Sequence, residues 1–169
     1  MKNNFIFRHI IIALIVVAVL VAGDQITKFL ARTYLEKGSI VLIPGVFELL
    51  LVENEGMAFS MFSGQMWLFY ILTPIISLLI IYLYLKLPDK MRYYPLRVCF
   101  EFLLAGAIGN YIDRLYKQSV TDFLYFSLIK FPVFNVADIY VTCSMAVLIV
   151  LLMFKYSNEE LEKWIGRKE

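Results

Sequence analysis

The sequence predicts a mainly α-helical, polytopic membrane protein, with four transmembrane helices in one membrane domain and short strands and loops at the membrane surface. Three observations predict it. Hydrophobic residues make up 61% of the 169, against roughly 45–50% in soluble domains, and mean hydropathy is +0.75. Apolar stretches of about twenty residues recur, long enough to cross the hydrocarbon core of a bilayer. Aromatic residues and a lysine gather at the ends of the second stretch, with Trp67, Phe69 and Tyr70 at its entrance and Tyr82, Tyr84 and Lys86 at its exit, as a membrane interface favours.

The chain opens short and basic, with Lys2 and Arg8, before a continuous apolar run over residues 10–23. That pattern looks like a signal peptide ending in Leu20-Val21-Ala22-Gly23. Asp24 follows, however, and the pattern continues over 25–30 without a small-residue break, so the expectation is an uncleaved first span over about 9–31. Residues 38–63 form an outer region of a different character. Two β-branched or apolar runs, 39–43 and 46–52, are split by Pro44-Gly45 and read as two or three short strands. Open-edged backbone cannot face lipid, so this piece belongs at the interface. A turn is expected over 54–60. The second span is placed at 65–85, the third at 96–115 and the fourth at 137–155, with a second outer loop over 116–136. The charged tail carries Trp164 and Ile165 as an expected surface anchor.

The basic residues orient the bundle. Lys2, Arg8, Lys86, Lys90, Arg92, Arg97, Lys155, Lys163, Arg167 and Lys168 fall on one side of a four-span arrangement, against Arg32, Lys37, Lys117 and Lys130 on the other. The excess puts both termini in the cytoplasm. A net charge of +2 is too small to argue for nucleic acid. Cys99 and Cys143 lie inside apolar runs and read as buried small hydrophobes rather than a disulfide framework. His9 is the only histidine, no His/Cys ligand cluster appears, and no metal or cofactor is expected.

With this topology every unusual polar residue converges on the extracytoplasmic face: Asp24, Asn54, Asn110, Asp113, Arg114, Asp122, Asn135 and Asp138. Charged residues near a bilayer core are costly and are functional-site candidates by default. Gly106, Gly109, Asn110 and Asp113 share one helix face, so the glycines admit a neighbouring helix while the polar pair points into the bundle. Asp24 and Lys28, four apart, can pair on one face. Asn54 and Gly56 read as a turn. Asn135 either caps the fourth helix or shares a face with Asp138. Arg114 neutralises a nearby carboxylate or binds an anionic or carbonyl oxygen. Glu101, in the inner half of the third span, has no assigned role beyond pairing with a basic loop residue.

Asp122 and Asp138 are the candidate catalytic dyad. Two carboxylates held close share a proton, leaving one as base and the other as acid. On spacing alone Asp113 can replace Asp122, although its neighbour Arg114 favours a salt-bridged structural role. Two other classes compete. A proton-coupled carrier would spread charge through the bilayer depth and often show repeats, and neither is seen. A membrane scaffold has no need for clustered aspartates.

Five blocks in order make the pattern recognisable: Asp24-Gln25-Ile26-Thr27-Lys28; Asn54-Glu55-Gly56-Met57-Ala58-Phe59; Gly106-Ala107-Ile108-Gly109-Asn110-Tyr111-Ile112-Asp113-Arg114; Val120-Thr121-Asp122-Phe123; and Phe134-Asn135-Val136-Ala137-Asp138. The chain resembles the lipoprotein signal peptidases, signal peptidase II, across nearly its whole length. Thr121 stands where a second valine is common, and Glu55 and Met57 fill variable positions. The resemblance implies a metal-independent aspartic endopeptidase of the bacterial inner membrane. It would remove the signal peptide from a prolipoprotein, cutting before the diacylglyceryl-modified cysteine, at a site near the extracytoplasmic face. It assigns Asp122 and Asp138 as the dyad and Asp24, Lys28, Asn54, Gly56, Asn110, Asp113, Arg114 and Asn135 as supporting or substrate-binding residues. It also implies a small sheet that cradles the substrate, and inhibition by globomycin. The expected partners are the lipid-modified prolipoprotein and membrane lipid, with no nucleic acid, and the protein is expected to act as a monomer.

Overall fold

The computed structural model describes residues 2–56 and 66–166. The part of the expected 54–60 turn beyond Gly56, with Met57, Ala58 and Phe59, lies outside the described residues. The elements run α1 (Lys2–Leu35), β1 (Ile40–Ile43), β2 (Phe47–Asn54), α2 (Met66–Lys86), α3 (Tyr94–Lys117), β3 (Val120–Tyr125), α4 (Val136–Phe154) and α5 (Asn158–Ile165).

Helix α3 is the hub, packing against α1, α2 and α4. Its glycines make the closest approach possible. A Cβ built on Gly106 would sit 2.6 Å from both the Ala137 carbonyl oxygen and Val141 Cγ2 of α4. The Gly106→Ala variant is therefore expected to lower thermal stability by about 1–3 kcal/mol, the usual cost of overpacking, despite alanine's better helix propensity. A melting curve of the detergent-solubilised protein checks this; an unchanged or raised midpoint would show that α4 gives way freely.

Among the described residues, α1, α2 and α4 are long and apolar enough to cross a membrane. The expected third span, α3, is the exception. Its 24 residues give a helix of ~36 Å, but Arg97, Glu101 and Asp113 are buried within it and lower its apolarity. Those charges are covered by neighbouring elements and not by lipid. Glu101 accepts from the Tyr84 hydroxyl of α2 at 3.0 Å, so its partner is a tyrosine of α2 and not a basic loop residue. Arg97 instead donates to the Leu87 carbonyl at 2.9 Å.

A three-stranded antiparallel sheet, in the order β1-β2-β3, stands beside the bundle. The hairpin β1–β2 turns at Pro44-Gly45, where Gly45 has φ +69°, a left-handed conformation that glycine adopts without strain. Strand β3 is an addition to the sequence reading, which left residues 116–136 as loop. It pairs Val52 with Asp122, Glu53 with Thr121 and Asn54 with Val120. Gln118, in the left-handed conformation at φ 61°, stops α3 just before it.

Two expectations are corrected. Trp164 is no surface anchor: it is buried, its ring 5.8 Å from that of Phe100 and its Nε1 donating to the Leu83 carbonyl at 3.0 Å. Helix α5, capped by Ser157, folds back onto the bundle, and of the pair only Ile165 is exposed. Cys99 is buried as expected, but Cys143 is exposed on α4.

Candidate functional site

The site begins with a charge that cannot reach water. Lys28, on α1, is fully buried, as is Asp24 one turn before it. Its Nζ lies 2.9 Å from Asp24 Oδ2 and 3.3 Å from Asp113 Oδ2, and it donates to Asn110 Oδ1 at 2.8 Å. A buried ammonium with two carboxylates and an amide oxygen is paired and hydrogen-bonded, the condition under which buried charge persists. The carboxylates extend the network. Asp24 Oδ1 accepts from the Ala137 amide of α4 at 3.0 Å, and Asp113 Oδ2 accepts from the Thr121 amide of β3 at 3.1 Å. One lysine thus ties α1, α3, β3 and α4 together. Gly109 leaves room for it, since a Cβ there would fall 2.5 Å from Asp24 Oδ2.

Asp113 is therefore paired with Lys28 and not with its sequence neighbour. The guanidinium of Arg114 lies 4.3 Å from the centre of the Phe69 ring, a cation–π distance. Its Nη1 reaches the Asn110 carbonyl at 3.4 Å, and its buried Nε has no hydrogen-bond partner among the described residues.

Two asparagines carry the network outward. Asn110 receives Lys28 and the Asn135 Nδ2 (3.1 Å) on its Oδ1 and donates from Nδ2 to Asp138 Oδ1 at 2.8 Å. Asn135 caps α4, accepting from the Asp138 amide at 3.0 Å, while its own backbone amide donates to Asp138 Oδ2 at 3.0 Å, a reciprocal capping box. Of the two sequence readings of Asn135 the cap is the one observed, since the helix begins at Val136 and Asn135 is extended; its Nδ2 also donates to Asp122 Oδ1 at 2.6 Å. Asn54 completes the ring, donating from Nδ2 to Asp122 Oδ2 at 2.9 Å and accepting the Gly56 amide at 3.0 Å.

Asp122 and Asp138 thus each accept two N–H donors, and Asn135 is the residue that donates to both, from its side chain to Asp122 and from its backbone amide to Asp138. Asp122 is 2% exposed. Burial pushes its carboxyl up to about 6, with repulsion from Asp138 adding to the rise, against the opposing hydrogen bonds from Asn54 and Asn135 and the charge of Lys28. Asp138 is less enclosed. Both line a cavity of about 490 Å³, with Asn54, Gly56, Asn110 and Arg114 on its polar side and Phe69, Phe134 and Ile139 among its apolar walls.

All ten residues singled out in the sequence meet in this one assembly. Six line the cavity; Asp24, Lys28 and Asp113 lie buried behind it, and Asn135 joins the two layers. Sequence reasoning gave no role to two contributors. Gln25 donates to Asp24 Oδ2 and to the Gly109 carbonyl, both at 3.1 Å. Thr121 is fully buried and accepts Arg32 Nη1 at 2.9 Å while donating to Glu53 Oε1 at 3.2 Å. The signal for these was a polar residue within a strongly apolar block. Among the described residues, no group of three or more His, Cys, Asp or Glu side chains is placed to hold a metal ion.

Among the described residues, three apolar helices long enough to span a bilayer, and a cavity beside them lined by Asp122 and Asp138, define a polytopic membrane protein with a polar site. The chain matches the family described as Signal peptidase (SPase) II over residues 15–154, and it belongs to that family. It is 39% identical to the lipoprotein signal peptidase of Brevibacillus brevis over 137 residues, covering 80% of this chain and 91% of that protein. It is 39% identical to that of Shouchella clausii over 149 residues, covering 88% and 97%. A solved structure described as a bacterial membrane enzyme superposes with a TM-score of 0.76 at 30% identity, covering 93% of this chain and 92% of the other.

Proposed function

We propose that this protein removes signal peptides from bacterial prolipoproteins, cutting before the diacylglyceryl-modified cysteine, by water activation between Asp122 and Asp138. Family membership supports the substrate class. The observation that carries the chemistry is that two aspartates from different elements, β3 and α4, line one cavity and both accept from Asn135.

In this reading the more enclosed carboxyl, Asp122, carries the shared proton, and Asp138 is the base. Asp138 takes a proton from water, which attacks the scissile carbonyl, and Asp122 donates to the leaving nitrogen. Arg114 and Asn54 face the same cavity and supply donors for the oxyanion or the substrate backbone. The apolar wall down α4 receives the signal helix, so that binding far from the scissile bond orients it. Helix α3 acts as the fourth span, both termini lie in the cytoplasm, and the cavity opens at the extracytoplasmic boundary of the inner membrane. The protein acts as a monomer, without a cofactor, and globomycin competes for the cavity.

Incubation of the purified protein in nanodiscs with a lipid-modified precursor, with and without globomycin, tests this. Cleavage before the modified cysteine, blocked by the antibiotic and untouched by a chelator, is expected; no cleavage, cleavage at another bond, or cleavage that globomycin leaves intact or a chelator abolishes, would sink it. The pH profile is a second test. If Asp122 supplies the acid, kcat/KM should fall as pH rises through about 6, the value to which burial pushes its carboxyl. A profile flat from pH about 5 to about 8 would remove Asp122 from the acid role.

A further inference from the structure

Strand β1 is an unusual edge. It reads Ile-Val-Leu-Ile, and all four side chains, on both of its faces, are 44–54% exposed. A charge-free apolar edge is a pairing hazard in water, and although β1 has a register irregularity between Val41 and Ile43 it carries no charged side chain. A second exposed apolar tip lies beside it. Leu128 and Ile129, in the turn after β3, are 67% and 68% exposed. The two tips are joined, since the Leu128 amide donates to the Val46 carbonyl at 3.4 Å and the rings of Phe47 and Phe126 are 4.9 Å apart. Neither tip contributes a hydrogen-bonding side chain to the aspartate site.

We infer that β1 and the 127–131 turn form a two-pronged anchor that dips into the outer leaflet and sets the depth of the cavity. Three features select lipid as the occupant. The first prong follows α1 after the exposed link 36–39, and the same end of α1 already presents Phe29 and Leu30 to its surroundings. Lys130 follows the second prong, where a long cationic side chain suits the headgroup layer. The second prong runs straight into the cavity wall, through Phe131 and Phe134. Seating the prong in lipid makes the leaflet and the cavity one continuous apolar path, along which the acyl chains of a modified cysteine reach the carboxylates without leaving hydrocarbon. The inference rests on the outer-face orientation proposed above, and its fluorescence and labelling tests are independent of peptidase activity.

The Leu128→Trp variant is reconstituted in nanodiscs, and its emission is compared with that of the parent protein by difference. The expected result is a blue-shifted band, quenched by lipids brominated in the upper acyl chain and shielded from aqueous iodide. A red-shifted band quenched by iodide would overturn the anchor, and so would a tip shielded because two copies cross-link through it. A Leu128→Cys variant in a Cys143→Ser background, labelled in spheroplasts and in inverted membrane vesicles, separates the two failures. Labelling by an impermeant maleimide from the cytoplasmic side alone overturns the orientation, whereas free labelling from outside overturns only the insertion. The double variant Leu128→Asp/Ile129→Asp should raise KM for the lipid-modified precursor severalfold with kcat retained; a fall in kcat alone contradicts a role in substrate entry.

Discussion

Asp122→Asn and Asp138→Asn each abolish cleavage of a lipid-modified precursor while the protein still inserts and folds. The expected loss in kcat is at least about 10³, within the 10²–10⁴ range typical of removing a general acid or base. The two changes leave the scaffold differently. At Asp122 an amide removes a buried negative charge but turns an N–H₂ group toward one of two existing donors, Asn54 Nδ2 or Asn135 Nδ2. Because the folded state raises the carboxyl to about 6, the charged form opposes folding. The stability it allows is full below pH about 4, near the unfolded value, and declines as pH rises through about 6. Asp122→Asn should therefore be at least as stable as the parent at pH 8, which sets loss of activity apart from loss of fold. At Asp138 the amide keeps one acceptor for the capping box and donates where Asn110 Nδ2 now donates, so the start of α4 should weaken slightly. Near-normal processing by either variant, measured by gel shift of the precursor, would end the dyad assignment.

The second large effect falls on stability. Lys28→Met leaves the carboxylates of Asp24 and Asp113 without their shared cation, in a place where Asp24 and Asp113 are 0% and 3% exposed. Removing one partner of a buried ion pair typically costs about 3–5 kcal/mol, and here one cation serves two anions. The variant is expected to express poorly and to melt well below the parent. Combining Lys28→Met with Asp24→Asn should recover part of the loss, because one uncompensated charge is then gone. Thermal unfolding in detergent reads both. A single variant as stable as the parent would mean that water or another cation reaches the cluster.

Much of this molecule was legible in its sequence. The apolar helices α1, α2 and α4, the turn at Pro44-Gly45, the Asp24–Lys28 pair and the Asn135 cap all follow from spacings of a few residues, because helical rise, turn geometry and capping act over that range. The glycines of α3 also declared themselves, since two small residues beside Asn110 and Asp113 on one face admit a neighbour. Strand β3 was less visible. Val120, Thr121, Phe123 and Tyr125 are all strand-favouring residues, but a short run between polar residues does not show that it has a partner, and β2 lies some seventy positions away.

What the sequence determined by itself was the set of polar residues, their local faces and the membrane class of the chain. Only the tertiary structure decided who meets whom. It gave Asp113 to Lys28 instead of Arg114, placed the Arg114 guanidinium over Phe69, turned Trp164 inward and carried Asp122 and Asp138 to one cavity through Asn110 and Asn135. The physical reason is that each of these pairings spans elements distant in the chain. Their partners are chosen by how α3 packs against its neighbours and how β2 registers with β3, and no local spacing records that choice.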